Sequence, residues 1–417
     1  WEAEVHSKKR SPVYGYVAET LSSSMVQSAA LGNFRKELGF SSPDLIMAVG
    51  SSISLFSLDA PGMTMAAVCK TPVFTNILSV ECLQPPAEHH RSFAEAGSAG
   101  SQTSDVCIVL EEGGQLALLR IEEADRRHRL RTLEKTKVFA DLPTEGKSPM
   151  LHKAVVDPLS RAVAVVSWIS HIELLLTNWI PQPLAQGADS PQSSSVFHSR
   201  IYIDTDGAIC DAAILSPLRS EMQRILLVAV VVEKATRHVN LHLYESWVPG
   251  ASHSHPPSLV AKLPLPYSMS TPMHIVPLPD HRECFLLINE CEVAFASAPQ
   301  ILSGDVNIYH QPIPRLPNGQ PDLVKAYCVA GTKAVPMHQL SESRRPSEPL
   351  LSSANLAQKV YITTQRGALY CVQASSRPYI SITQVSSKQG ATSDAGVGLI
   401  LSSESMLFLG SHSHKRY

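Results

Sequence analysis

The residues best suited to chemistry in this chain are histidines, a cluster of arginines and two tryptophans. His253 and His255 in "HSHPP", and His412 and His414 in "SHSH", stand two positions apart. On a strand that spacing puts both imidazoles on one face, and with a third ligand either pair could hold zinc. No cysteine or carboxylate stands at ligand spacing beside them, so two polar turns are the simpler reading. No metal or other cofactor is expected. The run "EEADRRHRLR" (122–131) brings Arg126, Arg127, Arg129 and Arg131 together, as a phosphate-contacting patch would. Two glutamates and an aspartate stand beside them, and no aromatics interleave as a platform for single strands needs. A solvated, charge-paired connection is therefore preferred. Trp168 and Trp179 bracket one apolar stretch. An exposed tryptophan would anchor a partner, but packing between neighbouring elements is the plainer reading of both.

Signatures of catalysis are missing. The chain has no G-x-S-x-G, no H-E-x-x-H and no P-loop, and "GVGLIL" (396–401) lacks both the third glycine and the helix of a dinucleotide site. An enzyme on this chain would need several polar groups converging on one place, and the apolar stretches carry only isolated acids, Glu81 and Asp211. No enzymatic activity is expected.

The elements that must position these residues are hairpins. "DLIMAVGSSISLFSLD" (44–59) and "DVCIVLEEGGQLALLRIE" (105–122) are strand–turn–strand units, and looser copies occupy 161–179, 224–245, 283–297 and 359–373. A last one, at 405–417, enters its turn and stops. The starts are 46–76 residues apart, room for four strands each. Short apolar stretches precede most hairpins, as in "NILSVECL" (76–83), "HKAVVDP" (152–158), "AICDAAIL" (208–215) and "MHIVPL" (273–278). More polar ones follow several, as in "TLEKTKVF" (132–139), "SLVAKLPL" (258–265) and "YISITQV" (379–385). An inner strand, a hairpin and a solvated outer strand make a propeller blade. Thirty prolines and the lack of a sustained 3.6 period argue against long helices. The expected fold is all-β, a single seven-bladed β-propeller over 13–417 with an incomplete last blade. Residues 298–358 are read as a long, partly mobile insertion from which "DLVKAYCVA" (322–330) supplies a blade strand.

Composition narrows the function further. The net charge of −2 gives no general attraction to nucleic acid or anionic lipid. The longest apolar run, "ILLVAVVV" (225–232), is too short to span a bilayer, so no membrane contact is expected. Eight cysteines form no C-x-x-C pair, and Cys107, Cys210 and Cys371 lie inside apolar strands. With no N-x-[ST] sequon and no secretory signal, a reducing, intracellular compartment is expected, although a chain starting at Trp1 is expected to lack its natural start.

The ordered series of phrases resembles a known family. It runs through "LGNF" (31–34), the 44–59 hairpin, "VVDPLSRAVAVVSW" (155–168), "TTQRGALYCVQ" (363–373) and "MLFLGSHSH" (406–414). It is similar to the N-terminal propeller shared by four nuclear triple-propeller scaffolds. These are the large damaged-DNA-binding protein, the fungal methyl-methanesulfonate-sensitivity protein, the large subunit of the cleavage and polyadenylation specificity factor, and the propeller scaffold of the branch-site spliceosomal particle. The resemblance implies a non-catalytic, nuclear protein-interaction scaffold, the first propeller of a multi-propeller adaptor. Partners would be proteins of a multi-subunit complex, and nucleic acid would be met through that complex. A cullin-type ubiquitin ligase in DNA repair is preferred, with mRNA 3′-end processing or splicing as the alternative. An enzyme using the propeller channel is the remoter one.

If the hairpins are equivalent strands of equivalent blades, their turns share one face of the disc. That face would carry Ser51, Gly113, Trp168, His171, Arg237, Glu290, Arg366 and His412. Turns so varied in chemistry suit recognition of a protein surface better than a repeating ligand.

Overall fold

A computed structural model describes residues 26–40, 42–59, 64–73, 75–85, 104–125, 127–140, 150–178, 195–248, 256–266, 269–272, 274–304, 308–315, 319–320, 322–329, 358–364, 368–375, 379–385, 395–400 and 407–411. Its strands fall into six four-stranded antiparallel sheets and one two-stranded sheet. Blade 1 is β1 (Val26–Gly32), β2 (Asp44–Val49), β3 (Ser52–Asp59) and β4 (Thr64–Pro72). Blade 2 is β5 (Ile77–Leu83), β6 (Val106–Glu111), β7 (Gln115–Ala124) and β8 (Arg127–Lys137). Blade 3 is β9 (Leu151–Val156), β10 (Ala162–Ser167), β11 (His171–Thr177) and β12 (Phe197–Asp204). Blade 4 is β13 (Gly207–Leu215), β14 (Arg224–Glu233), β15 (Val239–Trp247) and β16 (Ser258–Pro264). Blade 5 is β17 (His274–Pro277), β18 (Cys284–Ile288), β19 (Glu292–Ser297) and β20 (Tyr309–Pro312). Blade 6 is β21 (Val324–Val329), β22 (Gln358–Thr364), β23 (Leu369–Ser375) and β24 (Tyr379–Gln384).

The last sheet pairs β25 (Ala395–Ile400) with β26 (Leu407–Ser411). β25 packs beside β21 on one side and β1 on the other, so this sheet stands between blades 6 and 1. The described residues thus hold six complete blades rather than seven. The stretch read as an insertion at 298–358 is largely structural as far as it is described. It supplies the short helix α1 (Ala298–Ser303), the outer strand β20 and the inner strand β21. Residues 330–357 lie outside the described residues.

Successive blades pack face to face, and one apolar cluster fills each seam from blades 1–2 through blades 5–6. A middle strand is therefore covered on both sides. β10 (AVAVVS) is buried at every position, and eight of the ten residues of β14 are buried. That double burial explains continuous apolar runs where a half-solvated strand would alternate. Outer strands β8 and β16 remain mostly exposed.

Buried ionic locks join the seams on the face where first strands turn into second strands. In blade 3 the Asp157 carboxylate accepts the backbone N–H groups of Leu159 and Arg161, at 3.1 and 3.0 Å, fixing the aspartate-led turn. The same carboxylate takes the Arg161 guanidinium in a fork at 2.8 and 2.7 Å. Arg161 Nη1 then crosses into blade 4, donating to the carbonyls of Met222 and, at 3.0 Å, Arg224. Arg224 pairs with Glu283 of blade 5. Within blade 1, and not across a seam, Arg35 forks onto Asp44 at 2.9 and 2.7 Å. Arg35, Asp44, Asp157, Arg161 and Glu283 are all buried, where a paired charge persists and an orphaned one is costly.

Candidate functional site

The inner strands, the first of each blade, surround a channel, and a register slip recurs near their starts. In blades 1, 2 and 4 the slip falls just before Ser28, Ser79 and Asp211, and in blade 3 it leaves His152 unopposed before Lys153. A bulge of this kind bends the strand and re-aims the following side chain. Those side chains turn toward the next blade. Ser28 Oγ accepts the Val80 N–H at 2.9 Å, Ser79 Oγ donates to the Ala154 carbonyl at 3.5 Å, and Asp211 Oδ2 accepts the Ile275 N–H at 2.7 Å. At the same place in blade 3, the Lys153 ammonium reaches the Asp211 carboxylate. Polar links thus pass from blade to blade around the opening.

The chemistry of the channel gathers on this ring. His152 Nε2 lies 3.8 Å from Asp211 Oδ1, and its ring lies under the Trp168 indole at 3.9 Å between centroids, tilted 31°. Across the opening, His274 of blade 5 packs on Tyr327 of blade 6 with centroids 4.9 Å apart. Glu81 of blade 2 faces the charge of Lys153. Burial pulls Lys153 down, but Asp211, with Tyr327 and Glu81 behind it, more than offsets this, and its pKa ends above the ordinary value. Burial pushes the Glu81 carboxyl up to about 7 despite the Lys153 charge, and takes His152 down to about 4 although Asp211 opposes it. Tyr327 is pushed up to about 12, again by burial. Lys153 is therefore held protonated, the wrong state for a nucleophile, while both channel histidines favour the neutral imidazole.

Sequence reasoning took Glu81 and Asp211 for isolated acids. They belong to one cluster with His152, Lys153, His274 and Tyr327, drawn from five inner strands. The signal was present in "HKAVV" and "MHIVPL", where polar residues interrupt the start of an inner strand, but the pairing crosses blades and leaves no local spacing.

The rim residues sit as follows. Ser51, Gly113, Arg237 and Glu290 are exposed in second-to-third-strand turns, and His171 is half-buried against Asp204 at 2.5 Å. Trp168 is 42% exposed, with Ile169 at 42% and Met150 at 63% beside it, so it is not packed away between blades. The Met150 carbonyl accepts the Trp168 N–H at 2.8 Å, which ties this apolar tip to the start of β9. Arg366, His412, Trp179, His253, His255 and His414 lie outside the described residues. Among the described residues no group of three His, Cys, Asp or Glu side chains could hold a metal ion, and all eight cysteines are free thiols. No described helix is long and apolar enough to cross a membrane. The run 122–131 proves to be the end of β7, a turn and the start of β8, with Arg126 outside the described residues.

Four-stranded antiparallel blades around a self-paired polar channel, with a rim of dissimilar turns, define a β-propeller scaffold. The family model of the RSE1/DDB1/CPSF1 first beta-propeller matches residues 25–414, and the chain belongs to that family. No curated protein matches the chain.

Proposed function

We propose that the protein is a non-catalytic scaffold, the first propeller of a nuclear multi-propeller adaptor, and that its rim of turns holds partner proteins. The observation that carries this reading is the exposed Trp168–Ile169–Met150 tip among turns of unlike chemistry. The channel ion pair, by contrast, is closed on itself. The β25–β26 sheet is the inner half of a seventh blade in this reading, since it fills the place between blades 6 and 1. The assembly we favour is a cullin-type ubiquitin ligase acting in DNA repair, in which nucleic acid is met through the complex. The family description spans several branches, so an mRNA 3′-end processing or splicing complex is the competing assignment.

Affinity purification of the intact tagged protein from nuclear extract, followed by mass spectrometry, separates the two. Recovery of a cullin and its neddylation machinery supports the ligase assignment, and recovery of polyadenylation or branch-site factors replaces it. Trp168→Ala and Arg366→Glu should each reduce partner recovery, and Arg366→Glu should do so without lowering the thermal midpoint, whereas Trp168→Ala also loses the stacking on His152 and should lower it modestly. Unaltered recovery with both would remove the rim from the binding surface.

A further inference from the structure

The channel cluster contains one carboxyl that the fold leaves without a partner. Glu81, His152, Lys153, His274 and Tyr327 are each half-buried on inner strands, so water in the channel reaches them, whereas Asp211 is buried. Lys153 is the one cation in the cluster. Its ammonium is taken by Asp211, whose other oxygen accepts the Ile275 N–H at 2.7 Å. Glu81 makes no hydrogen bond or ion pair with a described residue, and the opposite charge that acts on it is that of the already paired Lys153. The other polar groups, two imidazoles held neutral and a tyrosine hydroxyl held protonated, bring no charge to it.

The mouth above this carboxyl has the lining of a side-chain pocket. The Met150 carbonyl accepts the Trp168 N–H at 2.8 Å, and the Trp168 carbonyl accepts the Ile209 N–H at 3.2 Å. These bonds pin the apolar tip of Trp168, Ile169 and Met150 to the starts of β9 and β13, at one end of the channel. Just inside, the Trp168 indole lies over His152, and across the opening His274 packs on Tyr327. Aromatic faces attract a cation, and an apolar collar covers a methylene stem. Glu81 follows two residues after Ser79, which holds in blade 2 the place of Lys153 and Asp211. Its carboxyl therefore lies about 6.8 Å further in along the strand. An occupant must have an apolar stem, pass the rings and end in a positive charge. Arginine meets all three demands, and its planar guanidinium both stacks on rings and forks onto a carboxylate.

We propose that a partner protein inserts an arginine side chain into the channel mouth, its stem on the Met150–Trp168–Ile169 tip and its guanidinium on Glu81. The assignment rests on the reading of the chain as a scaffold and names the group that its channel recognises. Lys153 stays with Asp211 throughout, so insertion breaks no existing pair. The groups facing Glu81 are Lys153 of β9 with Asp211 behind it, Tyr327 of β21, and the Cys82 and Cys107 thiols of its own blade. Burial holds the thiols and Tyr327 protonated, and Lys153 stays charged, so among these Glu81 alone titrates near neutrality.

The test is a titration of the intact protein, read by the fluorescence of Trp168, with a blocked Gly-Arg-Gly peptide and its uncharged citrulline counterpart. Trp168→Phe identifies the part of the signal that Trp168 supplies. The arginine peptide should bind saturably, and the citrulline peptide at least about tenfold more weakly. Arginine binding should weaken at least about tenfold between about pH 8 and about pH 5.5, as Glu81 takes up its proton. Glu81→Gln should bring the arginine peptide down to the citrulline level without lowering the unfolding midpoint, which separates a lost contact from a damaged fold. Equal binding of the two peptides, binding of neither, or wild-type affinity in Glu81→Gln would overturn the proposal. The scaffold reading would survive that result if Trp168→Ala still reduced partner recovery, so the two can fail separately.

Discussion

Lys153 and Asp211 stand at equivalent places on the inner strands of neighbouring blades, and their charges meet across the seam. The Asp211 side chain is 1% exposed and its second oxygen accepts the Ile275 N–H at 2.7 Å, so one carboxylate ties blades 3, 4 and 5. Asp211→Ala removes the counter-charge of a half-buried ammonium and leaves a backbone N–H unpaired. It should cost about 3–5 kcal/mol, read from the urea midpoint. Lys153→Met added to Asp211→Ala should recover much of that loss, because an apolar pair has no stranded charge. A double variant no more stable than the single would mean that the two charges are not coupled.

Arg161 tests the seam on the opposite face. Its fork to Asp157 and its bonds to the Met222 and Arg224 carbonyls need a planar, branched donor. Arg161→Lys keeps the charge but cannot make both sets of bonds, and should destabilise by about 2 kcal/mol. Arg131→Lys makes a matched control. Its pair with Glu122 is largely solvated, with the Arg131 side chain 64% exposed, so its effect should stay below about 0.5 kcal/mol in the same denaturation assay.

The hairpins were legible because their strands are buried on two faces and read as unbroken apolar runs, as in "RAVAVVS" and "RILLVAVVV". Inner strands β5, β9, β13, β17 and β25 were legible as short apolar stretches before them. β20 (YHQP) was not, because it is largely solvated, and β12 (FHSRIYID) was not, because only Phe197 and Ile203 are buried and polar residues interrupt any apolar pattern. Site chemistry was harder still. Glu81, Lys153 and Asp211 are far apart in sequence and meet only because three inner strands converge on one channel. The arginine run reads as a connection in the sequence, and it forms the end of β7, a turn and the start of β8, with Arg131 paired to Glu122. Counting its neighbouring acids was right in sum, but strand alternation and a bulge decide which of them share a face.

Gly207 opens β13 in a place that admits no side chain. A Cβ there would lie 2.0 Å from the Val232 carbonyl oxygen and 2.6 Å from its carbon, both backbone atoms of the paired strand. Gly207→Ala must therefore push the inner strand of blade 4 off β14, upsetting the approach that brings Asp211 to Lys153. A loss of about 3 kcal/mol or more is expected in thermal or chemical denaturation. Gly113→Ala is the contrast, since nothing lies within 4 Å of its added Cβ. That variant should unfold close to wild type.

Channel titration gives opposite pH slopes from Glu81 and His152. The folded pKa of Glu81 is raised from 4.5 to about 7, so above 4.5 the unfolded chain loses this proton first. Its contribution to stability is therefore lost as pH climbs through that window. The folded pKa of His152 is lowered from 6.5 to about 4, so below 6.5 the unfolded chain gains this proton first, and stability falls with acidification. Between 4.5 and 6.5 the two slopes offset each other in the wild type. Glu81→Gln should unmask the His152 slope, making the protein gain stability, relative to wild type, as pH rises from 4.5 to 7. The difference should be on the order of 2 kcal/mol across that range, allowing for solvent at a half-buried carboxyl. His152→Asn should shift the profile the other way, toward greater relative stability at low pH. Lys153, Asp211, Tyr327 and His274 face these two groups and remain in both variants, so each profile subtracted from wild type isolates one titration. Urea midpoints measured across the window would decide it, and parallel wild-type and Glu81→Gln curves would mean that Glu81 keeps an ordinary pKa in the folded channel.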